Sequence, residues 1–213
     1  MSGGWFLNEA DLDNDPNAVQ VFDSNGSENG FVMRLDPAGL TEWAVRFSGI
    51  GQCRVLDVEE DDDGNLHVAV KFDGSLDVDP GAGSVLLYAA GMSGDLRDVA
   101  VVKLDAQGLY LTSAQFNDVE YQMEGVILEI NSAGQPVVAF ISDYGIIHSY
   151  TLSGADLSTI SSFDFRQHRG RHRLPRRYAV GRAGQPALRG SFLTRVQPRS
   201  AGSVCRHTGV RDG

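Results

Sequence analysis

Apolar and polar residues alternate with a period of two through most of residues 1–165. The segment TEWAVRFS places Trp43, Val45 and Phe47 on one face of an extended chain. The segment LHVAVKF alternates in the same way, and we expect His67 to point to solvent from its polar face. This period is typical of half-buried β-strands, and no segment has a helical period long enough to compete. The pattern therefore predicts an all-β fold of short strands.

One strand–turn–strand segment occurs twice in the chain. Residues 30–40, GFVMRLDPAGL, return 69 positions later as residues 99–109, VAVVKLDAQGL, so that Gly39 aligns with Gly108. Both turns have Asp first and Gly three positions on, which suits a type I turn closed by a residue with positive φ. A third, partial copy follows up to residue 165. We predict units of about four short strands and roughly 50–70 residues each.

Two acidic segments show a similar relation. DLDNDP and, 64 positions later, SLDVDP align through their Asp-Pro dipeptides, which matches Asp13 with Asp77 and Asp15 with Asp79. The spacing grows from 64 to 69 before the next repeated strand. We therefore expect about five extra residues in the second copy, around residues 91–95, because loops accept such insertions readily.

The acidic segments are also a candidate metal site. Asp11, Asp13 and Asp15 alternate, so three carboxylates can aim at one point, and the second copy adds Asp77 and Asp79. Ca²⁺ prefers several oxygen ligands of this kind. The glycine and glutamate of an EF-hand loop are absent at the required spacing, and a solvated acidic loop is the alternative. These five aspartates are therefore the candidate Ca²⁺ site, and no other cofactor is expected.

The ordered motifs FVMRLDPAG, DDDGNLHVAV, FDGSLDVDPG and VVKLDAQG resemble the repeats of seven-bladed β-propellers in secreted and surface-anchored bacterial proteins, over about residues 5–165. That resemblance implies four-stranded antiparallel blades, usually without catalysis, in an extracellular or cell-surface location. About two and a half units are present, which are too few to close a ring. We therefore expect an incomplete β-propeller from a larger protein, whose open blade edges favour self-association.

Charge divides the chain into two segments. Residues 1–165 contain 6 Lys and Arg against 27 Asp and Glu, whereas residues 166–213 contain 12 Arg and a single acidic residue. We expect a repeat domain over the first segment and a disordered or poorly packed basic tail over the second. The acidic repeat domain repels nucleic acid, so we do not expect the tail to bind it.

The tail also fits translation in a shifted reading frame. Read from the second base of each codon with free third bases, RQHRGRH becomes Gly-Asn-Thr-Gly-Gly-Asp-Thr, the loop type expected after a strand ending at Phe165. Two later segments, AGQP and VQPRS, restore a Gly-Asn turn and an Asn-Pro-Gly segment in the order of the repeat. The alternative is a genuine basic tail, and an unbroken frame through codon 166 of the gene would establish it.

No arrangement of residues points to catalysis, since Ser/His/Asp and Cys/His sets, phosphate-binding loops and paired-His metal motifs are not visible. Cys53 is predicted to be a buried thiol. The sequence has no apolar run of about 18 residues for a transmembrane helix, and its start resembles no signal peptide. We predict a non-catalytic extracellular or cell-surface module that scaffolds or binds an unknown protein or glycan partner. The alternatives are a propeller-fold enzyme of lyase or glycosidase type and a Ca²⁺-stabilised structural repeat.

Overall fold

The computed structural model describes residues 1–15, 19–90, 98–117, 125–141 and 145–166. This described part is all-β and antiparallel, as predicted, and contains no helix. It accordingly includes no helix long and apolar enough to cross a membrane. The predicted insertion around residues 91–95 and the predicted disorder or frame shift of the tail beyond Arg166 lie outside the described residues.

Fifteen strands follow one another along the described chain. They are β1 (Ser2–Phe6), β2 (Glu9–Asp11), β3 (Val21–Asp23), β4 (Asn29–Leu35), β5 (Thr41–Phe47), β6 (Cys53–Glu60), β7 (Leu66–Phe72), β8 (Ser75–Asp77), β9 (Leu86–Tyr88), β10 (Asp98–Leu104), β11 (Tyr110–Phe116), β12 (Val126–Ile130), β13 (Pro136–Ile141), β14 (Ile146–Leu152) and β15 (Thr159–Arg166).

These strands form three larger sheets and two hairpins. The first sheet has the order β1-β4-β5, the central sheet the order β6-β7-β10-β11, and the third sheet the order β12-β13-β14-β15. The β2-β3 hairpin is inserted between β1 and β4, and the β8-β9 hairpin is inserted between β7 and β10. Within each sheet, and leaving out these inserted hairpins, every strand after the first pairs with the strand before it in the chain. The central and third sheets thus have four strands each, and the first sheet has three.

Four hairpin turns have the predicted geometry. Gly39 and Gly108 have φ values of 87° and 81°, and each donates its N–H at 3.0 Å to the carbonyl of the Asp three positions earlier. Gly64 and Gly134 make the same bond at 2.9 Å to an Asp and an Asn, with φ values of 80° and 70°. Residues with side chains are strained at such angles, so glycine allows the chain to reverse within these short turns.

The two inserted hairpins correspond to each other at a spacing of 66, not 64. Asp11 accepts a hydrogen bond from the backbone of Asp13, and Asp77 accepts the same bond from Asp79. The predicted alignment of Asp13 with Asp77 and of Asp15 with Asp79 is therefore wrong by two residues. The shared Asp-Pro dipeptides decided that alignment, whereas the backbone hydrogen bonds are set by the segments DLD and DVD.

Two hydrophobic clusters hold the sheets together, with the central sheet between them. Val32 and Phe47 of the first sheet pack against the face of the central sheet that carries Val102. Val101, on the opposite face, belongs to the cluster formed with Phe140 of the third sheet. All seven residues of β10 are buried as a result. Full burial of a Val or Phe side chain contributes about 1.5–3 kcal/mol, so the two clusters stabilise the stack of sheets.

The prediction that His67 points to solvent is wrong, because its side chain is fully buried. The third sheet covers the face of β7 that the alternating pattern assigned to water. The prediction for Cys53 is confirmed, since it is 2% exposed. Burial raises the pKa of its thiol to about 11. Its Sγ accepts a hydrogen bond from the Gly30 N–H at 3.2 Å and donates one to the Phe47 carbonyl at 3.1 Å.

Candidate functional site

The first predicted acidic loop follows β2. Asp11 Oδ1 accepts hydrogen bonds from the backbone N–H groups of Asp13 at 3.1 Å and Gln20 at 3.0 Å. Asp13 Oδ1 accepts one from the N–H of Asp15 at 2.9 Å. The alternating carboxylates therefore cap successive N–H groups of their own loop, as Asp side chains commonly do in turns. This local role is sufficient to account for their spacing of two.

The second predicted acidic loop is capped in the same way. Asp77 Oδ1 accepts from the N–H groups of Asp79 at 3.1 Å and Val85 at 2.9 Å, and Asp79 Oδ1 accepts from Gly81 at 2.9 Å. Within the described residues, no three His, Cys, Asp or Glu side chains come together as a metal-binding group. The structure thus places the five predicted aspartates in two separate loops, and Ca²⁺ binding there stays a prediction.

Two adjoining clefts lie beside the inserted hairpins, and we call them the hairpin clefts. They have volumes of about 420 and 500 Å³ and share three lining residues, Arg46, Ser48 and Asp77. The first is otherwise lined by Gln20, Phe22, Ala44, Val45, Asp79, Pro80, Gly81 and Gly83. The second is otherwise lined by Ser24, Asn25, Ser27, Asn29, Gly49, Ile50, Gly51, Ser75 and Leu86.

The lining of the hairpin clefts is rich in hydrogen-bonding groups. Arg46 donates one hydrogen bond to the Asp23 carbonyl at 2.5 Å, and its guanidinium has further N–H donors. Serine, asparagine and aspartate side chains supply hydroxyl, amide and carboxylate groups. The described lining can therefore hold a polar ligand by hydrogen bonds.

A buried polar cluster, which the sequence reasoning missed, lies at the turn end of the central sheet. Asp61 Oδ2 contacts His67 Nε2 at 3.2 Å and Lys103 Nζ at 3.3 Å. Lys103 Nζ also donates to the Gly154 carbonyl at 2.6 Å, in the turn between β14 and β15. The side chains of Asp61 and Lys103 are only 8% and 9% exposed. The cluster therefore links the central and third sheets away from the hairpin clefts.

Asp61 is ionised and His67 is neutral within this cluster. Burial by itself raises the pKa of Asp61, but hydrogen bonds from Asn65, His67 and Lys103 outweigh burial and lower that pKa to about 2. Burial lowers the pKa of His67, and the charge of Lys103 lowers it further against the opposing effect of Asp61. Nδ1 of His67 is buried with no hydrogen-bond partner within the described residues. Such an atom costs about 1–3 kcal/mol, which the surrounding contacts must offset.

Lys103 and Arg34 make equivalent contacts between successive sheets. Lys103 reaches the Gly154 carbonyl of the third sheet, and Arg34 Nη1 donates to the Ala106 carbonyl of the central sheet at 2.9 Å. Ala106 and Gly154 hold the same position in the turns after β10 and β14. A sequence signal existed, because Arg34 aligns with Lys103 in the 69-residue repeat. The repeat did not show that both cations bind carbonyl groups of the next sheet.

Comparison of the chain with protein-family models, curated proteins and solved structures gave no match. The stacked sheets, the hairpin clefts and the buried cluster are therefore the features from which a function is inferred.

Proposed function

We propose that residues 1–165 form a non-catalytic β-propeller repeat module, outside the cell or on its surface, that scaffolds or binds a protein or glycan partner. The observation that carries the binding role is the pair of hairpin clefts, which share Arg46, Ser48 and Asp77. The propeller assignment and the extracellular location rest on the sequence resemblance.

The stacking of the sheets supports a repeat module. Phe47, in the last strand of the first sheet, packs in the cluster shared with the central sheet. Phe116, in the last strand of the central sheet, packs in the cluster shared with the third sheet. In both cases, therefore, a phenylalanine at the end of the last strand packs against the next sheet. Units that bury their apolar faces against neighbouring units are typical of repeat proteins.

The chemistry of the hairpin clefts favours a partner with both polar and apolar groups. Arg46 has N–H donors, Asp77 and Asp79 have acceptor oxygens, and the hydroxyl of Ser48 can act in both ways. Phe22 adds apolar surface to the first cleft. Sugars and peptide segments present hydrogen-bonding groups beside apolar patches, and ligand sites commonly combine the same two kinds of surface.

A glycan array and a pull-down with the full-length chain test this proposal, with Arg46→Gln and Asp79→Asn as cleft variants. We expect each variant to weaken binding about tenfold, because loss of an important interface contact costs about 1–2 kcal/mol. Asp36→Asn is the matched control, since Asp36 caps the backbone of a turn outside the clefts in the same way as Asp79. Blank arrays and pull-downs, or equal binding by all variants, would contradict the binding role.

A further inference from the structure

One face of the third sheet carries two exposed phenylalanine side chains. Phe140 and Tyr150 of this sheet pack towards the central sheet. Phe163 and Phe165 lie on the opposite face, because they pair with residues that alternate with Tyr150 along β14. Their exposed fractions are 46% and 54%, and Ile147, the partner of Phe165, is half-buried on the same face. We call this surface the Phe165 face.

Equivalent faces of the other two sheets are covered. Phe116 pairs with Val99 in the central sheet as Phe165 pairs with Ile147 in the third. Phe116 is only 7% exposed, because its ring lies 5.9 Å from that of Phe140 and 4.6 Å from that of Tyr150. In the first sheet, Phe47 holds this position and is fully buried. A phenylalanine at this position thus packs on the next sheet wherever a next sheet is present.

The opposite end of the stack offers the complementary surface. Val32 of β4 points to the central sheet, so its neighbours Phe31 and Met33 point away from it, and both are half-buried. They correspond, at the spacing of 69, to Ala100 and Val102, which are fully buried where the first sheet covers the central one. We call this surface the Met33 face. Inside the molecule, a face that carries a phenylalanine covers a surface of this kind in two places, between the first and central sheets and between the central and third sheets.

We propose that the Phe165 face of one copy of this chain packs on the Met33 face of a second copy. The chain carries both halves of an interface that already occurs between its first and central sheets and between its central and third sheets. Contact between copies would repeat that interface a third time. Because the two faces are different, the association is head-to-tail and extends from dimers to larger oligomers. Its surface is the face of the sheet, distinct from the open blade edges predicted from the sequence.

Light scattering and sedimentation of the full-length chain over about a hundredfold range of concentration test the proposal. We expect the mean mass to rise with concentration in the wild type and the association to weaken at least tenfold in Phe165→Glu. Leu111→Glu is the matched control, because Leu111 is 48% exposed on β11 of the central sheet, both of whose faces are covered. It should associate like the wild type. Circular dichroism and thermal melting check that each variant is folded.

A mixing experiment identifies the two faces. Met33→Glu and Phe165→Glu should each block self-association, yet an equimolar mixture should form one-to-one dimers and nothing larger, because each variant retains one intact face. A wild type that is monomeric at every concentration overturns the proposal, as does association that survives Phe165→Glu or a mixture that forms no dimers. If the wild type is monomeric, a hydrophobic dye shows the state of the Phe165 face. Dye binding that is lost in Phe165→Glu would show that the face is open, and absence of dye binding would indicate that another segment covers it. Both results contradict the proposal that a second copy packs on this face.

Discussion

Asp61→Asn removes one negative charge from the buried cluster while keeping a group that can cap the turn. Asp61 Oδ1 accepts from the backbone N–H of Asp63 at 3.1 Å and of Asn65 at 2.8 Å. In the corresponding turn of the third sheet, Asn131 Oδ1 caps two backbone N–H groups at 2.9 and 3.0 Å. An asparagine therefore serves this type of turn in the same protein. What the substitution changes is the interaction of Oδ2 with the side chains of Asn65, His67 and Lys103.

The expected loss of stability follows from the pKa of Asp61. The folded protein lowers this pKa from 3.8 to about 2. One unit of pKa corresponds to about 1.4 kcal/mol, so ionised Asp61 stabilises the folded state by about 2–3 kcal/mol. Hydrogen bonds to charged groups typically contribute about 1.5–3 kcal/mol, which agrees with that figure. We therefore expect Asp61→Asn to lower the free energy of unfolding by about 2–3 kcal/mol at pH 7.

The pH dependence separates this electrostatic effect from a packing effect. A lowered folded-state pKa gives stability that is present above pH 3.8 and is lost as the pH falls through about 2. The difference between wild type and Asp61→Asn should therefore disappear near pH 2. Asp61 also raises the pKa of His67. Without that charge, neutral His67 is favoured more strongly in the folded state, so the variant should lose stability more steeply below pH 6.5.

Urea unfolding of the full chain, followed by tryptophan fluorescence at several pH values, measures these differences. Asp105→Asn is the control, because Asp105 caps its turn through N–H groups at 2.9 Å without a His or Lys contact in the described residues. It should cost less than about 0.5 kcal/mol. Equal losses in the two variants, or a loss in Asp61→Asn that is unchanged down to pH 2, would refute the electrostatic role of the cluster.

Two further outcomes follow from the structure, and a third tests the Ca²⁺ site predicted from the sequence. Gly49→Ala should destabilise the protein by about 1–3 kcal/mol, because the added Cβ would overlap the backbone of β8. Gly125→Ala is the control and should cost little, because its Cβ would meet open space. Urea unfolding compares the two variants. In a Cys205→Ser background, Cys53 should react with a thiol reagent at pH 8 only after denaturant is added, and prompt labelling of the folded chain would contradict its burial. Ca²⁺ should raise the melting temperature more than Mg²⁺ does, with a stabilisation of about 2.7 kcal/mol at a hundredfold excess over Kd. An unchanged melting temperature in millimolar Ca²⁺ would exclude a site at the acidic loops.

Local features of this protein could be predicted from the sequence. The alternating residues of β5 and β7 indicated strands, and Asp followed by Gly at the third position indicated the turns at Gly39 and Gly108. Both depend on interactions within a few residues: a strand presents alternate side chains to opposite faces, and a glycine accepts the φ angle that closes a hairpin. The all-β class followed from such local patterns.

The environment of each strand face was decided only by the tertiary structure. His67 has the polar position of an alternating strand, yet it is fully buried because the third sheet covers that face. Phe116 and Phe165 hold the same position in their strands, yet one is 7% and the other 54% exposed. A strand pattern shows which residues share a face, but segments distant in the sequence determine what covers it. The buried cluster and the hairpin clefts have the same origin, since each is built from strands and turns that meet only after the sheets have stacked.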